Sequence, residues 1–153
     1  MKKLTNCVCI ALFLMCCIAG NAQDNSIPLN DPDLKKPKLF KDLPSKMNLK
    51  VTEMESLFRL KMGALISFHV TDEMLLEGTV VSKAEDDQVK SVVIRSSNRP
   101  GAIFTFTKTK GRDGKDEYVG RMLSRHNGDA YEIVKENGQY VLIKKDLYDL
   151  INE

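Results

Sequence analysis

The chain reads as an α+β protein that is mainly β: a seven-stranded antiparallel meander curled into a barrel or half-barrel, with one N-terminal helix and a short C-terminal helix. Three observations predict this class. In Ala102-Ile103-Phe104-Thr105-Phe106-Thr107-Lys108 the aromatic rings fall on one side and the threonines on the other. This is the alternation of a strand with one face on a core and one in water. The same alternation recurs in short segments from residue 64 to residue 145. Turn chemistry separates them, including Asp113-Gly114, Asn127-Gly128 and Asn137-Gly138. Asn-Gly and Asp-Gly pairs take the positive φ that two-residue hairpins require, so consecutive strands pair as neighbours. Closing such a meander into a barrel protects its edges.

In chain order, Met1-Lys2-Lys3 precedes an apolar run from Val8 to Ala19 and then Gly20-Asn21-Ala22. A basic start, a short apolar run and small residues at −3 and −1 predict a secretory signal peptide over residues 1–22, cleaved after Ala22. The run is shorter than the roughly 20 residues of a membrane-spanning helix. All four cysteines (Cys7, Cys9, Cys16, Cys17) lie within it. The mature chain would then hold no thiol catalyst, disulfide or thiolate metal site. Acylation at Cys16 or Cys17 is the alternative, disfavoured because Met15 stands where a lipid-attachment motif places a small residue. Lys2 and Lys3 are the charged residues of this segment. Of 23 Lys+Arg and 21 Asp+Glu, the mature chain therefore keeps 21 of each, formally zero. That balance argues against nucleic acid as a partner. The expected location is the periplasm or the medium.

Residues 23–50 contain four of the five prolines, Pro28, Pro32, Pro37 and Pro44. Fixed φ and a missing N–H at this spacing exclude helix and central strand, and predict an extended arm or linker. Its apolar residues, among them Leu39, Phe40 and Leu43, exceed what a spacer needs, so a seat in a groove is the alternative to a partly ordered appendage. The β-rich domain is then residues 51–153. A helix over 53–62 follows from Thr52 and Glu55 at capping-box spacing, the apolar stripe of Leu57, Phe58 and Leu60, and Gly63 as the stop. Strands are predicted over 64–70, 75–83, 89–96, 102–110, 117–124, 130–135 and 139–144. Asp146 is positioned to cap a closing helix carrying Leu147, Leu150 and Ile151.

Chemistry is sparse. The two histidines, His69 and His126, are far apart and match no ligand spacing. No nucleophile elbow is present, and no helix follows Gly111-Arg112-Asp113-Gly114-Lys115 to hold a phosphate. No metal or cofactor is expected. What stands out is arginine placement. Arg95 and Arg99 flank one turn, and Arg125 and His126 flank another. In an up-and-down meander these turns share an end, where paired guanidinium donors can grip a carboxylate or phosphate. Arg121 lies on a strand face between Val119 and Leu123, where it is either solvated or paired with Glu132.

These features predict a non-catalytic exported binding module that engages another protein through its loops or arm, with Arg95, Arg99, Arg125 and His126 as the candidate site. A small apolar-ligand carrier and an envelope-polymer hydrolase using a carboxylate pair are the alternatives.

Overall fold

The computed structural model describes residues 37–147 and 150. The predicted signal peptide, the arm before Pro37 and most of the closing helix lie outside the described residues. Alternation and turn chemistry produce eight antiparallel strands in one sheet, curled into a half-barrel. These are β1 (Lys46–Asn48), β2 (Leu65–His69), β3 (Leu75–Glu85), β4 (Val89–Ser96), β5 (Ala102–Lys110), β6 (Asp116–Ser124), β7 (Asp129–Glu136) and β8 (Gln139–Asp146). Strands β2 to β8 are the predicted meander. The extra strand, β1, comes from the proline-rich segment and pairs antiparallel with β8, giving the order β1-β8-β7-β6-β5-β4-β3-β2. It satisfies the proline rule, because it begins after Pro44 and sits at an edge.

Register follows from local chemistry. Asn137 and Gly138 both have positive φ, 49° and 82°, as a tight hairpin demands, and the ladder beyond them pairs Ile133 with Leu142. Phe104 faces Met122 and Phe106 faces Gly120 across β5 and β6. A side chain at Gly120 would meet the Thr105 carbonyl oxygen at 2.2 Å, so the β5 backbone comes this close only because Gly120 has no Cβ. A bulge between Val80 and Ser82 shifts the β3–β4 register by one residue. The slip turns Lys83 inward, where its Nζ donates to the Phe58 carbonyl at 2.6 Å.

The interior is apolar and filled. Phe104, Phe106, Met122, Tyr131 and Leu142 are fully buried, and Phe58 stacks on Phe106 with centroids 5.1 Å apart. Residues 37–50, assigned by sequence to the arm, contribute Phe40, Leu43 and Met47 to this core. The Lys50 N–H donates to the Val70 carbonyl at 3.0 Å, drawing the two sheet edges together at one corner.

The predicted ten-residue helix is shorter and different in kind. A single α turn, α1 (Val51–Met54), runs into a 3₁₀ segment, Glu55–Arg59. No side-chain cap bond forms at α1. Glu55 is instead held across the barrel by Lys108 and Tyr118, so the capping box loses its acid to a tertiary partner. Asp146, predicted as a helix cap, ends β8 and accepts from Lys38. Arg121 is exposed on the outer face opposite Glu132, whose carboxylate lies 3.8 Å from Lys145.

Candidate functional site

The β4–β5 and β6–β7 turns lie at one end of the half-barrel, as shown by the pairing of Ala102 with Ser124. The first turn is pinned from within. Ser96 Oγ accepts from the Arg99 N–H at 3.0 Å and donates to Asn98 Oδ1 at 2.9 Å, while Asn98 Nδ2 donates to the Leu75 carbonyl. Arg99 is thereby aimed at the arm. Its Nη1 and Nη2 donate to Asp42 Oδ1 and Oδ2 at 3.0 and 2.8 Å, Nη1 also reaches the Leu39 carbonyl, and the guanidinium lies 5.9 Å from the Phe40 ring centre. This is a bidentate grip of the kind foreseen for this end, but the carboxylate belongs to the same chain. The Arg99 guanidinium holds the Asp42 carboxyl below the usual carboxylate range, and Asp42 raises Arg99 in return.

The arm crosses this end as a plug. Between Pro37 and Pro44 the chain makes one turn, closed by the Leu43 N–H on the Phe40 carbonyl at 3.1 Å, rather than the extended run expected from the prolines; side chains of the sheet satisfy further polar groups of its backbone. Asp129 Oδ2 accepts from the Phe40 N–H at 2.7 Å. Lys144 Nζ donates to the Phe40 and Leu43 carbonyls at 2.7 and 2.6 Å and lies 5.6 Å from the Tyr131 ring centre. The Tyr131 hydroxyl donates to the Pro44 carbonyl. Asn127, between His126 and Gly128, donates to the Pro37 carbonyl at 2.8 Å. Burial raises the Tyr131 hydroxyl to about 12.

Beside the plug is a cleft of about 330 Å³ whose walls include Lys38, Lys41, Lys144, Asp129 and Asp146. Asp129 and Asp146 are direct cross-strand partners. Asp129 is 3% exposed, and its Oδ1 has no hydrogen-bond partner among the described residues. Of the predicted site residues, Arg125 and His126 are exposed on the β6–β7 turn next to the plug. Arg99 is spent on the arm. Arg95 is exposed on the outer face, between Thr79 and Ile103, and does not join them. Sequence reasoning missed Lys144, Tyr131 and Asp129 as the groups that seat the arm. The available signal was Lys144, two residues beyond inward-facing Leu142: a lysine in an inward register position needs an internal acceptor.

A second polar cluster sits where the 3₁₀ segment meets the sheet. Lys108 Nζ contacts Glu55 at 2.7 Å and Asp116 at 2.6 Å, and the Tyr118 hydroxyl donates to Glu55 Oε1 at 2.5 Å. Its titrations move away from neutrality. Hydrogen bonds from Lys108 and Tyr118 lower Glu55, those to Asp116 and Glu55 raise Lys108, and burial raises Tyr118 to about 12. A general acid or base works best with its pKa near the operating pH, so this arrangement suits a clamp rather than proton transfer. Among the described residues, no group of three or more His, Asp or Glu side chains is placed to hold a metal ion. Compared with protein-family models, curated proteins and solved structures, the chain matches none.

Proposed function

We propose that the chain is exported, with residues 1–22 removed as a signal peptide, and that the mature protein is a non-catalytic module that binds another protein at the plugged end of its half-barrel. One observation carries the reading. The bond from Asn127 to the Pro37 carbonyl seats the start of the described arm on the turn that exposes Arg125 and His126. The plug, from Pro37 to Pro44, and this turn together form one recognition surface, with Lys41 exposed on the plug. Its chemistry suits a partner presenting carboxylates or phosphates. Arg99 serves this surface by fixing the arm. Formal neutrality of the mature chain favours a protein over nucleic acid. Among the described residues, no helix is long and apolar enough to cross a membrane.

The apolar-ligand carrier gains little support, since Phe40, Phe104, Phe106 and Tyr131 occupy the interior such a ligand would need. Hydrolysis has one point in its favour, the opposition of Asp129 and Asp146 at the cleft. Its carboxylates already serve the arm, through the Phe40 N–H and Lys38.

Affinity capture from the envelope and culture fluid of the source cell tests the proposal. The wild-type bait is compared with Arg125→Ala/His126→Ala and, separately, with Arg95→Ala. Arg99 is left intact because its loss would free the arm. A partner held by wild type and lost with the double variant is expected. Equal retention by both baits would refute the site, and no retained partner would refute the binding reading in favour of hydrolysis, assayed next with Asp146→Asn.

A further inference from the structure

The chain contains two Asn-Gly pairs, Asn127-Gly128 and Asn137-Gly138, each in a turn between strands. By sequence they are chemically alike. A glycine after asparagine leaves the main-chain nitrogen open to attack the side-chain amide, because no Cβ stands in the way. The fold separates them. At the first pair every group the reaction needs is engaged: Asn127 Oδ1 accepts from Ser124 Oγ at 2.8 Å, and Nδ2 donates to the Pro37 carbonyl at 2.8 Å. The nitrogen that would attack, that of Gly128, is buried and donates to the Ser124 carbonyl at 2.9 Å. The Gly128 carbonyl accepts from the Leu147 N–H and from Lys38 Nζ, which fixes the residue from its other side. At the second pair these restraints are missing. Asn137 and Gly138 are exposed, and neither the Asn137 amide nor the Gly138 N–H has a hydrogen-bond partner among the described residues. The pair is the whole loop beyond Glu136 and Gln139, the last partners of the β7–β8 ladder, so it moves without breaking that ladder. A Cβ on Gly138 would meet nothing within 4 Å, which leaves room for a ring and for water.

We propose that Asn137 is a site of spontaneous deamidation in the folded protein, and that Asn127, with the same neighbour, is protected by its turn and by the plug. Hydroxide removes the Gly138 amide proton, and the nitrogen electron pair forms a bond to Asn137 Cγ. The Cγ–Nδ2 bond breaks, and the amide nitrogen leaves as ammonia after taking a proton from water. Water then opens the resulting succinimide ring at either carbonyl. One opening gives an aspartyl residue, the other an isoaspartyl residue whose main chain runs through the former side chain. Hydroxide and water are the co-reactants. At Asn127 the same step first requires three hydrogen bonds to part and a buried N–H to meet hydroxide, so local opening limits it. The products bear on the hairpin. Either one adds a negative charge beside Glu136, whose carboxylate pairs with Lys46 of β1. The isoaspartyl form also adds a methylene to the two-residue loop that sets the β7–β8 register.

The test incubates the chain, expressed in full and purified as the cell delivers it, at mildly alkaline pH, where the hydroxide step is fast. Samples are digested with trypsin in mildly acidic buffer, which slows that step. Cleavage after Arg125, Lys135 and Lys144 puts the two pairs in separate peptides, His126–Lys135 and Glu136–Lys144, so mass spectrometry reads each conversion by itself. In the folded protein the Glu136–Lys144 peptide should gain the mass difference between amide and acid and split into aspartyl and isoaspartyl forms. Its conversion should be at least about tenfold faster than that of the His126–Lys135 peptide, given the three hydrogen bonds that hold Asn127-Gly128. Incubation in concentrated urea removes the protection, and the two peptides should then convert at comparable rates. Equal rates in the folded protein would overturn the proposal. So would an Asn137 that converts in urea but stays intact in the folded chain, or a rate difference that persists in urea and therefore belongs to the neighbouring residues rather than to the fold.

Discussion

Replacing Phe40 by alanine should destabilise the folded body by about 3 kcal/mol, although Phe40 lies in a proline-rich segment that sequence alone reads as an appendage. The side chain is fully buried, and its ring packs against Tyr131 with centroids 5.5 Å apart. Removing a buried phenylalanine side chain costs about 3–5 kcal/mol through lost transfer energy and the remaining cavity. The lower end applies because the plug lies over the mouth of the half-barrel and can settle or lift to reduce the void. For a domain of roughly 100 residues, about 3 kcal/mol corresponds to a fall in Tm of some 12 °C or more. Urea unfolding followed by far-UV circular dichroism measures the change, with Lys41→Ala, an exposed neighbour, as a control expected within about 0.5 kcal/mol. Limited trypsin digestion gives a second readout, since lifting the plug frees the backbone around Lys38 and Lys41 to enter the protease cleft. A loss below about 1 kcal/mol with unaltered digestion would refute the plug as part of the core.

The remaining predictions concern the same contacts. Arg99→Ala should cost about 1–2 kcal/mol, less than a buried charge-assisted network because Asp42 is more than half exposed, and should accelerate trypsin cleavage in the plug. Asp42 and Glu55 titrate below their ordinary values when folded. Their contribution is therefore present above the unfolded carboxylate range, about 4, and is lost as pH falls through the lower folded values. Urea midpoints between pH 7 and pH 3 should fall less steeply in Asp42→Asn/Glu55→Gln than in wild type. Tyr118 and Tyr131 are raised to about 12, so the stability they add is full below an unfolded value near 10 and disappears as pH climbs toward 12. Ultraviolet phenolate titration should show both ionising late, and Tyr118→Phe should lessen the alkaline loss. Gly120→Ala should cost at least about 2 kcal/mol by forcing a methyl into the Thr105 carbonyl, read as a lowered urea midpoint.

The strands were legible because their signals are local. Phe104 and Phe106 alternate with threonines, so β5 begins and ends where the alternation does, and Asn137-Gly138 has one comfortable turn, which joins β7 to β8. The bulge at Val80–Ser82 was not legible, because Lys83 turns inward to satisfy the Phe58 carbonyl, 25 residues away in sequence. The capping box failed for a similar reason. Thr52 and Glu55 have the right spacing, but Glu55 gains more from Lys108 and Tyr118 together than from a frayed helix start. Arg99 and Arg125 were placed at a common end by topology alone. Which acceptor Arg99 would meet depended on where the arm came to rest.

Sequence by itself thus determined the antiparallel meander and the inward faces of its strands. Period-two alternation and turn residues act over a few positions and need no distant partner. Only the tertiary structure decided that Phe40, Leu43 and Met47 belong to the core, that Asp42 occupies Arg99, and that residues 46–48 add an edge strand beside β8. Proline spacing forbids helix and central strand, but it does not forbid burial. Burial is set by shape and charge brought together from opposite ends of the chain, where Lys144 and Asp129 complete what Phe40 begins.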